Sequence, residues 1–159
     1  MVRFSSFAES DLVCDTLGEQ SLVAVFRGYN AVLKEFNRLF SRFGLSEAQF
    51  NILLLLVRQG KEGMMLSDIG QRMLVSKADI TGLADRLERE GLIVRDGRLD
   101  DRRAKVAKIT DKGLELVKKV VPLHCETINR ITSVLGEPEK KALVQTLEKL
   151  ARFPEEGRG

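Results

Sequence analysis

At 159 residues the chain has room for one domain with helical extensions, and 43% hydrophobic against 31% charged residues suits a packed, helix-rich protein rather than a disordered one. The longest apolar run, 52–57, is far too short to cross a membrane, two cysteines give no disulfide framework, and no charged-apolar-small leader opens the sequence, so a cytoplasmic protein is expected. The formal net charge of +3 is only mildly basic, and its distribution says more than its size, because the excess falls in one stretch near residues 95–108.

Residues 1–15 carry no clear periodicity and are read as an arm. From 21 to 43, Leu22, Val25, Phe26, Tyr29, Val32, Leu33, Phe36, Leu39, Phe40 and Phe43 recur at helical spacing, a stripe wide enough to need several neighbouring elements. Gly44 should end this helix and Ser46 cap the next, to about Arg58. Met64 to Leu66 suits a short strand that pairs with a later hairpin. Ser67 is expected to cap a short helix through Met73, and Ser76 a second one from about Lys77 to Glu90, stopped by Gly91. In that second helix Ile80, Leu83, Ala84 and Leu87 form the buried stripe.

The opposite face, at about 100° per residue, carries Ala78, Thr81, Gly82, Asp85, Arg86 and Arg89. Small residues near its N-terminus let a backbone approach base edges, and a helix N-terminus with Ser76 and Lys77 attracts phosphate. Asp85 is expected to orient Arg86 or Arg89. Next comes a strand-turn-strand, with Asp96-Gly97 as its turn signal. Arg95, Arg98, Arg102, Arg103, Lys105 and Lys108 there outnumber Asp96, Asp100 and Asp101. Arg103 at the tip suits a narrow minor groove, Arg102 a phosphate, and Asp101 a salt bridge that holds the loop. Two short helices followed by a basic hairpin make a winged helix-turn-helix over about 45–113.

Asp111 is expected to cap a long helix with Leu114, Val117, Val120 and Val121, which Pro122 should kink or interrupt before Ile128, Ile131 and Leu135 continue the stripe. Gly136 breaks it, and Pro138 fits the first turn of a last helix with Leu143, Val144, Leu147 and Leu150. The fold expected is mainly α with a small β wing, a single domain whose core is flanked by dimerisation helices at about 16–43 and 114–153. Those apolar faces exceed what the compact core can cover, so a symmetric homodimer on double-stranded DNA with an inverted-repeat operator is expected.

Three segments carry a family resemblance. Leu45-Ser46-Glu47-Ala48-Gln49-Phe50-Asn51-Ile52-Leu53 is similar to the opening of the second helix of the MarR (multiple antibiotic resistance) regulators. Val75-Ser76-Lys77-Ala78-Asp79-Ile80-Thr81-Gly82-Leu83 resembles their recognition helix, with Asp79 where an uncharged residue is more usual. Asp101-Arg102-Arg103 followed by Ile109-Thr110-Asp111-Lys112-Gly113 resembles their wing. The resemblance implies a homodimeric transcriptional regulator, most often a repressor released by a small aromatic acid or phenol, which Phe26, Tyr29, Phe36, Phe40, Phe43 and Phe50 could meet. It implies DNA contacts from Ser76, Lys77, Ala78, Thr81, Gly82, Arg86, Arg98, Arg102, Arg103 and Lys105.

Other chemistry has little support. One histidine, no glycine-rich phosphate loop and no acid-base pair argue against an enzyme. His124 and Cys125 are helix neighbours about 100° apart with no further ligand cluster, so neither metal nor cofactor is expected. Cys14 and Cys125 raise a thiol-based redox-sensing repressor as an alternative, although Asp15 would raise a nearby thiol pKa. A second alternative is a winged-helix protein-interaction module that never touches DNA.

Overall fold

The structure, a computed structural model, describes residues 16–73, 75–98 and 101–153, with backbone alone at 77, 97–98 and 101–105. The elements run α1 (Leu17–Ser41), α2 (Glu47–Gln59), a 3-10 turn (Gly60–Glu62), β1 (Met64–Met65), α3 (Leu66–Met73), α4 (Lys77–Arg89), β2 (Ile93–Arg98), β3 (Asp101–Ile109), α5 (Asp111–Thr132) and α6 (Glu137–Ala151). The chain is mostly helical, with one antiparallel sheet in the order β1-β3-β2. Among the described residues no helix is long and apolar enough to cross a membrane.

Two compact units divide it, 1–35 and 36–159. The first is described from 16 onward and holds most of α1. Thr16 starts that helix, accepting from the Glu19 amide at 3.2 Å, and Leu17, Leu22, Phe26 and Tyr29 are exposed along it. In the second unit the core gathers Leu39 and Phe40 from the end of α1, Phe50, Leu53 and Leu56 of α2, and Ile69 of α3. Ile80, Ala84 and Leu87 of α4, Ile93 of β2, Ala107 of β3, and Val117 and Val120 of α5 complete it. The α4 members come from the expected stripe; Leu83 packs at its edge. Each large side chain so buried contributes roughly 1.5–3 kcal/mol relative to exposure.

The helix starts follow side-chain oxygens. Ser46 and Gln49 form a reciprocal capping box, 3.2 Å and 2.9 Å, that opens α2. Ser76 accepts the Asp79 amide and opens α4. Gly136 opens α6, its amide donating to Glu139, with Pro138 in the first turn. The expected strand before α3 forms, Met64 opposite Ala107 and Met65 opposite Val106.

Several expectations fail locally. Ser67 does not cap α3; it lies inside the first turn and donates to its neighbour Asp68, because β1 leads straight into the helix at Leu66. The cap of α5 is Thr110, not Asp111: its hydroxyl accepts the Gly113 amide at 3.1 Å and donates to the Gly91 carbonyl at 2.8 Å. Pro122 leaves α5 helical throughout. The carbonyl it deprives of its helical partner belongs to Lys118, an exposed residue, while Val117 and Val120 stay buried. α1 ends at Ser41, leaving Phe43 in the turn.

Gly113 shows how tightly α5 docks. A Cβ there would collide with the Leu92 carbonyl and lie 2.9 Å from Ile109 Cγ1. Gly113→Ala should cost about 1–3 kcal/mol through overpacking. That corresponds to a thermal midpoint lower by roughly 2–4 °C per kcal/mol, readable by circular dichroism.

His124 of α5 sits among three phenyl rings, with centroids 5.2 Å from Phe36, 5.9 Å from Phe40 and 5.2 Å from Phe50. Burial pushes its pKa below the ordinary value of 6.5, an effect that the Glu47 charge partly offsets. The unfolded chain therefore binds this proton more readily than the folded one. The associated stability is complete above the ordinary value and is lost as the pH falls through the depressed folded value. His124→Phe should flatten the fall in thermal midpoint on acidification from about pH 7 to 5. Parallel pH profiles for the two proteins would contradict this account.

Candidate nucleic-acid interface

α3 and α4 are the two helices of the helix-turn-helix. Ile69 and Gly70 of α3 are buried, and a Cβ at Gly70 would lie 3.4 Å from Ile80 Cγ2, so the helices cross closely. The Val75 amide donates to the Gly70 carbonyl at 3.1 Å, tightening the turn into α4. Asp79, the unusual acid, is used locally: the Ser76 hydroxyl donates to its carboxylate at 2.6 Å, and a negative charge in a first helical turn opposes the positive end of the helix dipole.

The outward face of α4 lies where the sequence puts it. Ala78, Gly82, Asp85, Arg86 and Arg89 are exposed, and a Cβ on Gly82 would meet nothing within 4 Å. Thr81 is half-buried and engaged in an interaction of its own. The Lys77 side chain lies outside the described residues.

At the far end, α4 closes with a Schellman motif. The Gly91 amide donates to the Glu88 carbonyl at 2.9 Å, the Leu92 amide to that of Leu87 at 2.9 Å, and Gly91 takes φ 70°, a conformation that favours glycine. Lys112 Nζ donates to the Glu90 carbonyl at 2.6 Å, placing a cation at the negative end of the helix. Thr110, Lys112 and Gly113, all in the wing motif, thus fasten α5 to the end of α4.

The hairpin follows directly. Ile93 pairs with Ile109, Arg95 with Ala107 and Arg98 with Asp101. The chain therefore does not turn at Asp96-Gly97, which lie within β2 beside a register irregularity between Gly97 and Arg98. The side chains of Arg98, Asp101, Arg102, Arg103 and Lys105 lie outside the described residues, as does all of Cys14. Cys125 is exposed.

Asp85 does not orient Arg86 or Arg89. It sits 2.5 Å from Nη1 of Arg95, on β2. Glu88, one turn on, accepts the Arg95 amide at 3.1 Å and Nε at 2.9 Å, and also pairs with Nη2. The Arg95 bond holds the Glu88 carboxyl below its ordinary pKa, and both acids hold Arg95 above its own. Strand alternation explains the placement, since Ile93 and Arg95 point inward and Val94 and Asp96 outward. Asp96 instead pairs with Lys108 on the outer face at 3.1 Å. Counting charges groups Arg95 with the other basic residues of the hairpin and gives it no partner; its parity with Ile93, and the i, i+3 spacing of Asp85 and Glu88, are the signals that single it out.

A MarR family model matches residues 45–105. The HTH-type transcriptional regulator MhqR of Bacillus subtilis (strain 168) is 30% identical over 128 residues, 80% of this chain and 87% of that protein. The structure of Bordetella bronchiseptica BpsR, whose DNA binding is regulated by 6-hydroxynicotinic acid, matches with a TM-score of 0.75 at 26% identity, over 83% of this chain and 98% of that one. That of the S. aureus MepR-DNA complex matches at 0.73 and 21% identity, over 93% and 99%. Two close-packed helices with a hairpin attached form a winged helix-turn-helix, and the relatives that match over most of this chain are HTH-type transcriptional regulators. The chain belongs to the MarR family, whose members matched here are regulators rather than enzymes.

Gly82 is a glycine in the middle of a helix with open space where a side chain would go. Gly82→Ala should stabilise the protein by about 0.4–1 kcal/mol, seen as a higher melting midpoint. Gly82→Leu should leave the fold intact and change which duplexes are selected. Unchanged selection would mean that this face does not meet DNA.

Proposed function

We propose that the protein is a cytoplasmic, homodimeric repressor that reads an inverted-repeat operator and lets go when a small aromatic acid or phenol binds. The observation that carries the DNA-reading half is the outward face of α4, open and small-residued near its N-terminus, beside an arginine-rich hairpin. In this reading Ser76, Lys77, Ala78, Thr81 and Gly82 enter the major groove with Arg86 behind them. Arg98, Arg102, Arg103 and Lys105 hold phosphates and the minor groove, with Asp101 bracing the wing.

The dimer is supported by apolar surface. Leu143, Val144, Leu147 and Leu150 of α6 are all exposed at helical spacing, as are Leu22, Phe26 and Tyr29 of α1. Covering such area is favourable by roughly 25 cal/mol per Å². Two copies would set recognition helices about 34 Å apart, one turn of DNA. The helices over 16–43 and 114–153 would form that interface around the DNA-binding core of 45–113. The effector rests on BpsR by analogy. Release follows if the ligand binds better to a spacing of the two recognition helices that the operator does not fit.

The test is titration of the purified protein, and of Arg103→Ala, against its own upstream DNA and a scrambled duplex at two salt concentrations. Tight, salt-weakened binding to the upstream fragment, with a footprint of two half-sites, is expected, and Arg103→Ala should bind more weakly with a salt slope shallower by about 1. Absence of any salt-sensitive duplex binding would instead favour a protein-interaction module.

A further inference from the structure

We propose that Arg95 is a positioning residue for DNA recognition: clamped by Asp85 and Glu88, it fixes the angle between the recognition helix and the wing, and makes no contact with DNA itself. This rests on the reading of α4 and the hairpin as the two DNA-contacting elements.

The geometry separates this contact from an ordinary surface ion pair. Exposed pairs contribute little because both side chains must be immobilised in water. The Arg95 side chain is only 12% exposed, and three of its nitrogens face the two carboxylates of α4. Glu88 also accepts the main-chain amide of the same residue. One carboxylate thus holds both the backbone and the side chain of Arg95, so β2 can neither slide nor rotate against α4 without breaking a charge-assisted bond.

The clamp sits at the root of the wing. From Arg95 to Arg98, the end of β2, the strand runs about 10 Å at roughly 3.3 Å per residue, so a tilt of about 10° at the root moves that end by about 2 Å. Functional groups need placement to about 0.5 Å, and without the clamp the wing and α4 could not seat in adjacent grooves together. It also accounts for two acids on a helix that meets a polyanion. Their charge is turned toward an arginine that is itself kept off the phosphates.

The alternative role for Arg95, a phosphate contact restrained by Glu88, predicts the opposite sign. Removing a negative charge beside DNA would then strengthen binding. Under the clamp, Glu88→Gln should weaken operator binding about tenfold or more, while affinity for a scrambled duplex holds or rises. Asp85→Asn, at a half-exposed position, should shift the specificity ratio in the same direction and serves if Glu88→Gln fails to fold. Arg95→Lys should not restore specificity, because an ammonium lacks the planar fork. Operator binding by Glu88→Gln or Asp85→Asn that equals or exceeds the parent's would overturn the proposal.

A second readout needs no DNA. With Cys14→Ser and Cys125→Ser in place, spin labels at Arg89→Cys and Arg98→Cys should give one narrow distance in the parent and a broadened one with Glu88→Gln. An unchanged distribution would also overturn the clamp. Failure of the parent to select any duplex would defeat the DNA-binding reading, and the label distances would still decide the clamp.

Discussion

The C-terminus of α4 leaves its last carbonyls without helical partners, and the way these are satisfied determines where the following elements go. The chain's own reversal at Gly91 answers those of Leu87 and Glu88, and Lys112 and Thr110, arriving from beyond the hairpin, answer those of Glu90 and Gly91. β2 leaves from this point and α5 begins at it. Gly113 lets α5 come so near the Leu92 carbonyl that no side chain fits between. A helix end that would otherwise cost several unsatisfied groups becomes the junction of three elements. The hairpin is anchored there at both of its ends.

That junction also separates what the sequence discloses from what it conceals. The stripe Ile80, Leu83, Ala84, Leu87, the caps at Ser46 and Ser76, the stop at Gly91, the strand at Met64 and the first turn around Pro138 follow from spacing and side-chain chemistry within a few residues, so they are legible locally. Thr110 and Asp111 are both good N-caps, and nothing local separates them. The Gly91 carbonyl, far away in sequence, favours the hydroxyl because threonine can donate as well as accept, whereas a carboxylate can only accept. Asp96-Gly97 is a sound turn signal, yet the ladder with β3 continues past it and an irregularity next to Gly97 absorbs the mismatch. Pro122 does not interrupt α5, and the residue whose carbonyl loses its helical partner, Lys118, is an exposed one, which a rule applied to proline alone does not take into account.

The candidate site divides along the same line. The face of α4 is a matter of periodicity and was readable. The partner of Asp85 was not, because Arg86 and Arg89 are near in sequence while Arg95 is near only once the chain has reversed at Gly91. Charge counting treats every arginine of the hairpin alike. Burial distinguishes Arg95, whose position two residues after Ile93 puts it on the inward side of β2.

His124 obeys a related logic in the core. Its imidazole occupies a place among Phe36, Phe40 and Phe50 that a fourth phenyl ring would fill with no desolvation cost. Glu47, at the start of α2, offsets part of that cost by favouring the charged form, while burial favours the neutral one. α1, α2 and α5 therefore meet at a group whose charge state is set by two opposed effects. In Arg95 the bonds and charges of Glu88 and Asp85 outweigh the burial that opposes the cation, and neither a guanidinium nor a carboxylate so paired titrates near neutrality. In His124 burial outweighs the charge of Glu47. The hairpin junction is thus built to hold one geometry across ordinary conditions, whereas the packing of α1, α2 and α5 carries the acid-sensitive contact.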